Sequence, residues 1–455
     1  MENIGLKRNL KARHLNMIAL GGSIGTGIFL GSGYALHVAG PAGAVLAYAL
    51  LSIMVYFLIT SLGEMATFRP TSGSFCEYST DYVGPSFGFA MGINYWFNWA
   101  ITIAAEISAA AIIMKFWFPD ISPILISSLI FLLVLFFNVF SVKIFGETEY
   151  ILSFIKVAVI ITFIILAFAL VVSKPSLASQ NIFTADGPFH QGFYGFMSVF
   201  LIAGFSFQGC ELIGISAGET KDPQKSIPKA VRSVFWRLIL FYILATALIG
   251  LLIPFNDPKL FIQDSVESSP FTLIFMKFFG QGLATNFINL VILIAVISAA
   301  NASMYASTRT LFSMGQKSQA PKIFAKTNKY GLPIYALIAT ALVGSAFLLS
   351  AFSKNENIFS TLLTISALCG FIAWFGIALS HFKFRKSIGE DKVNNLKYKS
   401  KFYPIAPLLA MIFIVIIIAG QITQFDLNLI NILENYGALI IFIALIIIHK
   451  IFSKR

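Results

Sequence analysis

Apolar residues run along this chain in long blocks separated by short polar segments. A bilayer crossing needs about 20 mainly apolar residues. Twelve stretches meet that measure, at 17–38, 43–64, 86–114, 122–141, 150–172, 190–217, 232–253, 283–307, 333–352, 358–381, 402–422 and 434–452. The pattern predicts an all-α integral membrane protein of twelve transmembrane helices. A tail at 1–16 precedes them and a short one at 453–455 follows. The spans divide into 17–172 (one to five), 190–381 (six to ten) and 402–452 (eleven and twelve).

Two interruptions stand out. Gly21-Gly22-Ser23-Ile24-Gly25-Thr26-Gly27 sets four glycines in seven residues inside the first span, and each glycine within a helix costs about 1 kcal/mol relative to alanine. The helix is expected to break there. Gly204-Phe205-Ser206-Phe207-Gln208-Gly209-Cys210-Glu211 interrupts the sixth span in the same way. Unwound backbone at membrane depth is tolerated only where protein or a watery cavity surrounds it, and paired broken helices in corresponding halves point to a transporter's binding site. The alternative, close helix packing through small residues, accounts for one such run but not for two at matching positions.

Composition and charge agree with a membrane reading and narrow it. The 455 residues are 57% hydrophobic and 11% charged, with mean hydropathy +0.83, whereas soluble domains carry about 25% charged residues. A net charge of +12 does not signal nucleic acid, because the basic residues lie between apolar spans. With the N-terminus placed in the cytoplasm, 25 of the 32 lysines and arginines fall on inner segments, which sets both termini inside. The 382–401 loop is the most basic segment and is read as an anchor on anionic headgroups. Glu219 to Pro228 joins spans six and seven as a structured loop whose two prolines rule out a continuous helix. Cys76, Cys210 and Cys369 are too far apart for a disulfide framework or a metal site, and the basic N-terminal segment lacks the pattern of a cleaved leader.

The chain resembles the amino acid permeases of the amino acid–polyamine–organocation superfamily, nearest the bacterial lysine permeases. The resemblance rests on Leu10 to Leu15 leading into the glycine run, Ser61 to Met65 with Pro70 to Phe75, and Asn94 to Ala100. Phe145 to Tyr150, Gly204 to Glu219 and Ser303 to Arg309 complete it. Cys210 departs from the threonine expected there. The resemblance implies a LeuT-like fold of two five-helix inverted repeats with helices 1 and 6 broken, and proton-coupled import of a basic amino acid, L-lysine, by alternating access. Exchange against an amine, or a neutral or aromatic substrate, are the alternatives.

An amino acid brings a carboxylate, an ammonium and a side chain, each needing a partner in a dry site. The half-helix opening at Gly25, Thr26 and Gly27 offers free N–H groups for the α-carboxylate, with Gly22 and Ser23 beside it. The carbonyls of Ile18 to Gly22, with those of Phe205 and Ser206, suit the α-ammonium. The resemblance makes Phe205 an aromatic gate over the substrate. Glu106, midway along span three, is a functional candidate because a mid-span charge costs about 2.5–3.5 kcal/mol. It reads as the counter-ion of a side-chain ammonium or as a structural hydrogen-bonding group. Glu211 resembles the proton-sensing carboxylate of related antiporters, the alternative being a cap on the break. Lys156 matches a lysine held to occupy the place of sodium in sodium-coupled relatives, against which stands a lysine snorkelling to the inner surface. Ser298 is the ligand through which sodium coupling would act.

No cofactor other than the coupling proton is expected, and the partners are the amino acid and the bilayer. An enzyme needs a nucleophile–base pair or a metal cluster. His14, His37, His190, His381 and His449, all at or near span ends, do not supply one. An amino acid sensor that no longer transports is the remaining rival.

Overall fold

The computed structural model describes residues 8–22, 24–139, 142–182, 189–261, 266–328, 331–351, 358–423, 425 and 427–453. They are helical almost throughout. The helices are α1 (Ala12–Gly21), α2 (Ser32–Phe68), α3 (Ser74–Tyr78), α4 (Pro85–Met114), α5 (Pro123–Val139), α6 (Val142–Ser173), α7 (Pro175–Ile182), α8 (Gly192–Phe207) and α9 (Leu212–Ser216). They continue with α10 (Pro223–Arg237), α11 (Ala245–Leu252), α12 (Pro270–Phe279), α13 (Leu283–Gln316), α14 (Ile334–Gly344), α15 (Ile358–Ile388), α16 (Glu390–Asn394), α17 (Ile405–Gly420) and α18 (Leu429–Phe452). Among the described residues nine helical runs are long and apolar enough to cross a membrane, and Pro123–Val139, Pro270–Phe279 and Ile334–Leu349 are shorter apolar helices.

Local sequence sets the bends. The run Gly27–Phe68 is too long for one straight crossing, and it turns at Gly40, whose φ of 74° is open to glycine, ahead of Pro41. Helix α4 starts at Pro85, where a missing N–H costs nothing. The connection from span six to seven is not a continuous helix, being non-helical at 220–222, but α10 begins within it at Pro223 and runs on through Pro228. Pro223 takes the first-turn position, and Pro228 forfeits one hydrogen bond close to the helix start, so two prolines at this spacing do not prevent a helix.

Inside the bundle, α4 lies between α13 and α15, α2 runs along α8, and α1 rests on α6 and α10. Small residues bring backbones together: a Cβ at Gly21 would strike Ser153 of α6, and one at Gly204 would strike the Phe371 ring of α15. At the outer rim, α18 buries only Phe442 of its 24 residues, and Ile412, Val415 and Ile416 of α17 are half-exposed. In a bilayer these faces meet lipid tails, which are as apolar as they are.

Candidate functional site

The centre of the bundle is built where two helices stop. Helix α1 ends at Gly21, and helical backbone resumes at Thr26 and continues through the wide turns of Gly27–Gly31. Helix α8 ends at Phe207, Gln208 is extended (ψ 145°), Gly209 takes φ 97°, and α9 begins at Leu212. The two gaps face each other, since a Cβ on Gly27 would collide with the Ser206 backbone.

A small cavity lies between them, lined by Gly22, Gly25, Gly27, Trp99, Thr102, Glu106, Phe205, Gln208, Ala299 and Ser303. Glu106, 3% exposed, is the one titratable side chain in that lining. Its Oε2 accepts from the Thr26 hydroxyl at 2.5 Å and from the Thr26 N–H at 3.4 Å. Gly25 has no room for a side chain, because a Cβ there would stand 2.8 Å from the Ala299 Cβ and 2.9 Å from Glu106 Oε1. A second, larger cavity is lined by Thr26, Leu30, Gly31, Tyr34, Ile202, Leu260, Ser268, Phe359, Leu363 and Thr364. Phe205 packs against Leu363, Ile202 and Phe359 of that second cavity while lining the first, so its ring is part of the wall between them.

Five sequence-selected residues therefore line one cavity: Gly22, Gly25, Gly27, Glu106 and Phe205. Thr26 joins the second cavity to Glu106. Ser206 does not line either. Its hydroxyl donates to the Ile202 carbonyl at 3.2 Å, and its carbonyl accepts from Tyr242 at 2.8 Å. Ser23 lies outside the described residues. The carbonyls assigned to the α-ammonium are largely engaged: Ile18 accepts from the Gly22 N–H, Ala19 from Arg237, and Gly21 from Lys156.

A polar network missed in the sequence completes the wall. Asn98 donates to Gln208 at 3.1 Å, Gln208 donates to the Ser366 carbonyl at 2.9 Å, and the Ser366 hydroxyl donates to Asn98 at 2.9 Å. Thr102 shares a 2.7 Å hydrogen bond with Ser366. The signal was there to be found, because Asn94, Asn98, Thr102 and Glu106 recur every four residues and so form one polar face of α4.

Lys156 is wholly buried and does not snorkel. Its Nζ donates to the Gly21 carbonyl at 2.6 Å and to Ser298 Oγ at 2.9 Å, and lies 3.6 Å from Glu149 Oε1. Ser298 in turn donates to both Glu149 oxygens at 2.9 Å, and Ser153 donates to Oε1 at 3.1 Å. The ammonium thus sits on Ser298 and a carbonyl at the first break, the groups through which sodium coupling was expected to act. Glu149 escaped notice because it lies before the apolar block of its span; α6 starts at Val142 and carries it inside. Glu211 is buried apart from this cluster, accepting from Tyr95 and Trp374 at 3.3 Å each and from the Gly209 N–H at 3.4 Å.

At the end of the bundle carrying the N-terminal segment, buried polar contacts join segments distant in sequence. Leu10 is buried, its N–H donating to the Glu219 carbonyl and its carbonyl accepting from the Lys221 N–H, each at 3.0 Å. Glu219 is buried with Tyr305 and Arg309. Glu64 is buried against Arg385, which holds both its oxygens, and accepts from the Ser400 N–H at 2.6 Å.

Comparison with known proteins adds the lineage. Residues 14–455 match the family described as amino acid permease. The lysine-specific permease LysP of Lactococcus lactis is 48% identical, the match covering 99% of this chain and 91% of that one. LysP of Escherichia coli is 49% identical over 92% and 87% of the two chains. The histidine permease HisP of Lactococcus lactis is 48% identical over 90% and 88%. The crystal structure of MhsT in complex with L-phenylalanine shares the fold, with a TM-score of 0.62 at 13% identity, covering 92% of this chain and all of that one. The permeases among these relatives are transporters and not enzymes, and with its apolar helices the chain is a multi-pass membrane protein. It belongs to the amino acid permease family.

Proposed function

We propose that this permease imports a cationic amino acid, lysine foremost, by proton-coupled alternating access through the cavity between the two helix gaps. Glu106 is the observation that carries the substrate class: a single buried carboxylate in the cavity wall, with no ion pair to a lysine, arginine or histidine among the described residues. A charge left unpaired in a dry site is costly, and a substrate that brings its own ammonium relieves that cost. Near-half identity to two lysine-specific permeases supports the same choice. The equally similar histidine permease favours histidine as the second reading, since a protonated imidazole meets the same carboxylate.

Proton coupling is the reading that Lys156 supports. A fixed ammonium on the Gly21 carbonyl and Ser298 leaves no place there for sodium, and the Lys156–Ser298–Glu149 chain gives a proton two buried carriers. The fold proposed with it has twelve crossings, two inverted repeats of five over 17–172 and 190–381, breaks in the first and sixth, and both termini in the cytoplasm of a bacterial inner membrane. The bend at Gly40, dividing Gly27–Phe68 into two crossings, and the shorter helices Pro123–Val139 and Ile334–Leu349 support the count. The test is uptake of labelled lysine into proteoliposomes under separate proton, sodium and counter-substrate gradients, with unlabelled histidine as competitor. Accumulation driven by an alkaline lumen alone supports the reading. Accumulation only with sodium, or only with preloaded amino acid or amine, contradicts it.

A further inference from the structure

The donors best placed for an incoming α-carboxylate are already holding another one. Thr26 opens the resumed half of the first span, and its N–H and hydroxyl both point to Glu106 Oε2. Glu106 Oε1 lies where a Gly25 side chain would begin, so the whole carboxylate is seated on the exposed end of the helix, the favoured position for an anion. Thr26 also lines the second, larger cavity. A substrate arriving from that side meets the donors of Thr26 with Glu106 behind them.

We propose that Glu106 is a built-in stand-in for the substrate carboxylate, seated on Thr26 until the substrate displaces it, and accepted in its displaced position only when the substrate supplies a side-chain cation. This deepens the assignment of the cavity as the substrate site and rests on it. Two carboxylates cannot share the Thr26 donors, because like charges in contact repel strongly in a site shielded from water. Once released, the Glu106 carboxylate stays beside the same cavity, whose other lining groups are glycines, Trp99, Thr102, Phe205, Gln208, Ala299 and Ser303. None of these carries a positive charge, and the amide of Gln208 is committed to the Ser366 carbonyl. The cation has to come from the substrate. Lysine brings one; a neutral amino acid displaces the carboxylate and leaves it unpaired. Selection against neutral substrates then comes from the cost of an uncompensated charge and needs no steric barrier.

Lys156 is the cation that acts on Glu106 across space, but its ammonium is held by the Gly21 carbonyl, Ser298 and Glu149 and makes no ion pair with Glu106. Lys156 and Glu149 on α6 are bonded to each other's neighbours beyond Gly21, and Glu211 is held by Tyr95 of α4 and Trp374 of α15. From α13, Ala299 and Ser303 face the cavity without charge.

The experiment compares lysine with norleucine, which has the same carbon chain and no ε-ammonium, by calorimetric binding to the purified full-length protein. For Glu106→Gln, which keeps the shape and removes the charge, lysine affinity should fall by at least about tenfold as its partner is lost. Norleucine affinity should rise by at least about tenfold as the penalty on displacement disappears. Lysine falling with norleucine unchanged overturns the stand-in role and leaves a plain counter-ion. No change in either overturns both this role and the assignment of the cavity. A parallel fall in both means Glu106 only holds the break together. A second measurement uses the unaltered protein: titrations in buffers of different ionisation enthalpy count the protons taken up on binding. A carboxylate displaced without a cation neutralises itself with a proton, so norleucine should take up about one proton more than lysine. Equal uptake contradicts the proposal.

Discussion

Replacing Lys156 by methionine tests the coupling assignment at its most exposed point, because methionine keeps the unbranched stem and removes only the charge. The ammonium makes contacts of 2.6 Å to the Gly21 carbonyl and 2.9 Å to Ser298, with Glu149 3.6 Å away. Without it, Glu149 is a fully buried carboxylate supported by the hydroxyls of Ser153 and Ser298 alone. Stranding one member of a buried pair costs about 3–5 kcal/mol, whereas replacing both members is close to neutral. Lys156→Met should therefore lower the thermal midpoint of the purified protein, and adding Glu149→Gln should restore most of the loss. The two substitutions are strongly coupled, as neighbours in one network are. In proteoliposomes both variants should lose proton-driven accumulation of lysine while counterflow, which needs no net driving force, persists. Lys156→Met accumulating lysine within about twofold of the unaltered protein, the range of an inconsequential surface change, would refute the reasoning and shift attention to Glu211.

Gly25→Leu should abolish thermal protection by lysine while the protein still reaches the membrane, since the new side chain would fill the 2.8–2.9 Å gaps to Ala299 and Glu106; normal protection means the carboxylate binds elsewhere. Phe205→Ala removes part of the wall between the two cavities and should raise proton-independent efflux of lysine, with unchanged efflux arguing against a gate. Arg385→Met leaves Glu64 buried without its two-pronged partner and should cost about 3–5 kcal/mol of stability, most of it recovered in the double variant with Glu64→Gln, as read by thermal shift.

The features legible in the sequence are those with local causes. The glycine run coincides with the end of α1 because helix cost is a property of each residue, and the polar face from Asn94 to Glu106 is periodic, though only Glu106 drew attention as a charge. The features that stayed hidden depend on contacts between distant segments. Snorkelling and burial of Lys156 are equally compatible with its surroundings in sequence, and the decision comes from Gly21, whose lack of a side chain lets α1 lie against Ser153 of α6. Arg237, an apparently misplaced charge in an apolar span, finds the Ala19 carbonyl and the Cys210 sulfur. That pairing also gives Cys210, the departure from the expected threonine, a definite place beside the second gap. Pro228 is a case of the opposite kind: the connection is broken ahead of it at 220–222, and α10 then runs through Pro228 at the loss of one hydrogen bond.

The most direct test of the central claim is the lumen pH of proteoliposomes loaded with a pH-sensitive dye, at equal pH inside and out and without sodium, when lysine is added outside. Proton-coupled import predicts that the lumen acidifies as lysine enters, and that Lys156→Met abolishes the acidification. Entry of labelled lysine with no change in lumen pH would contradict the account.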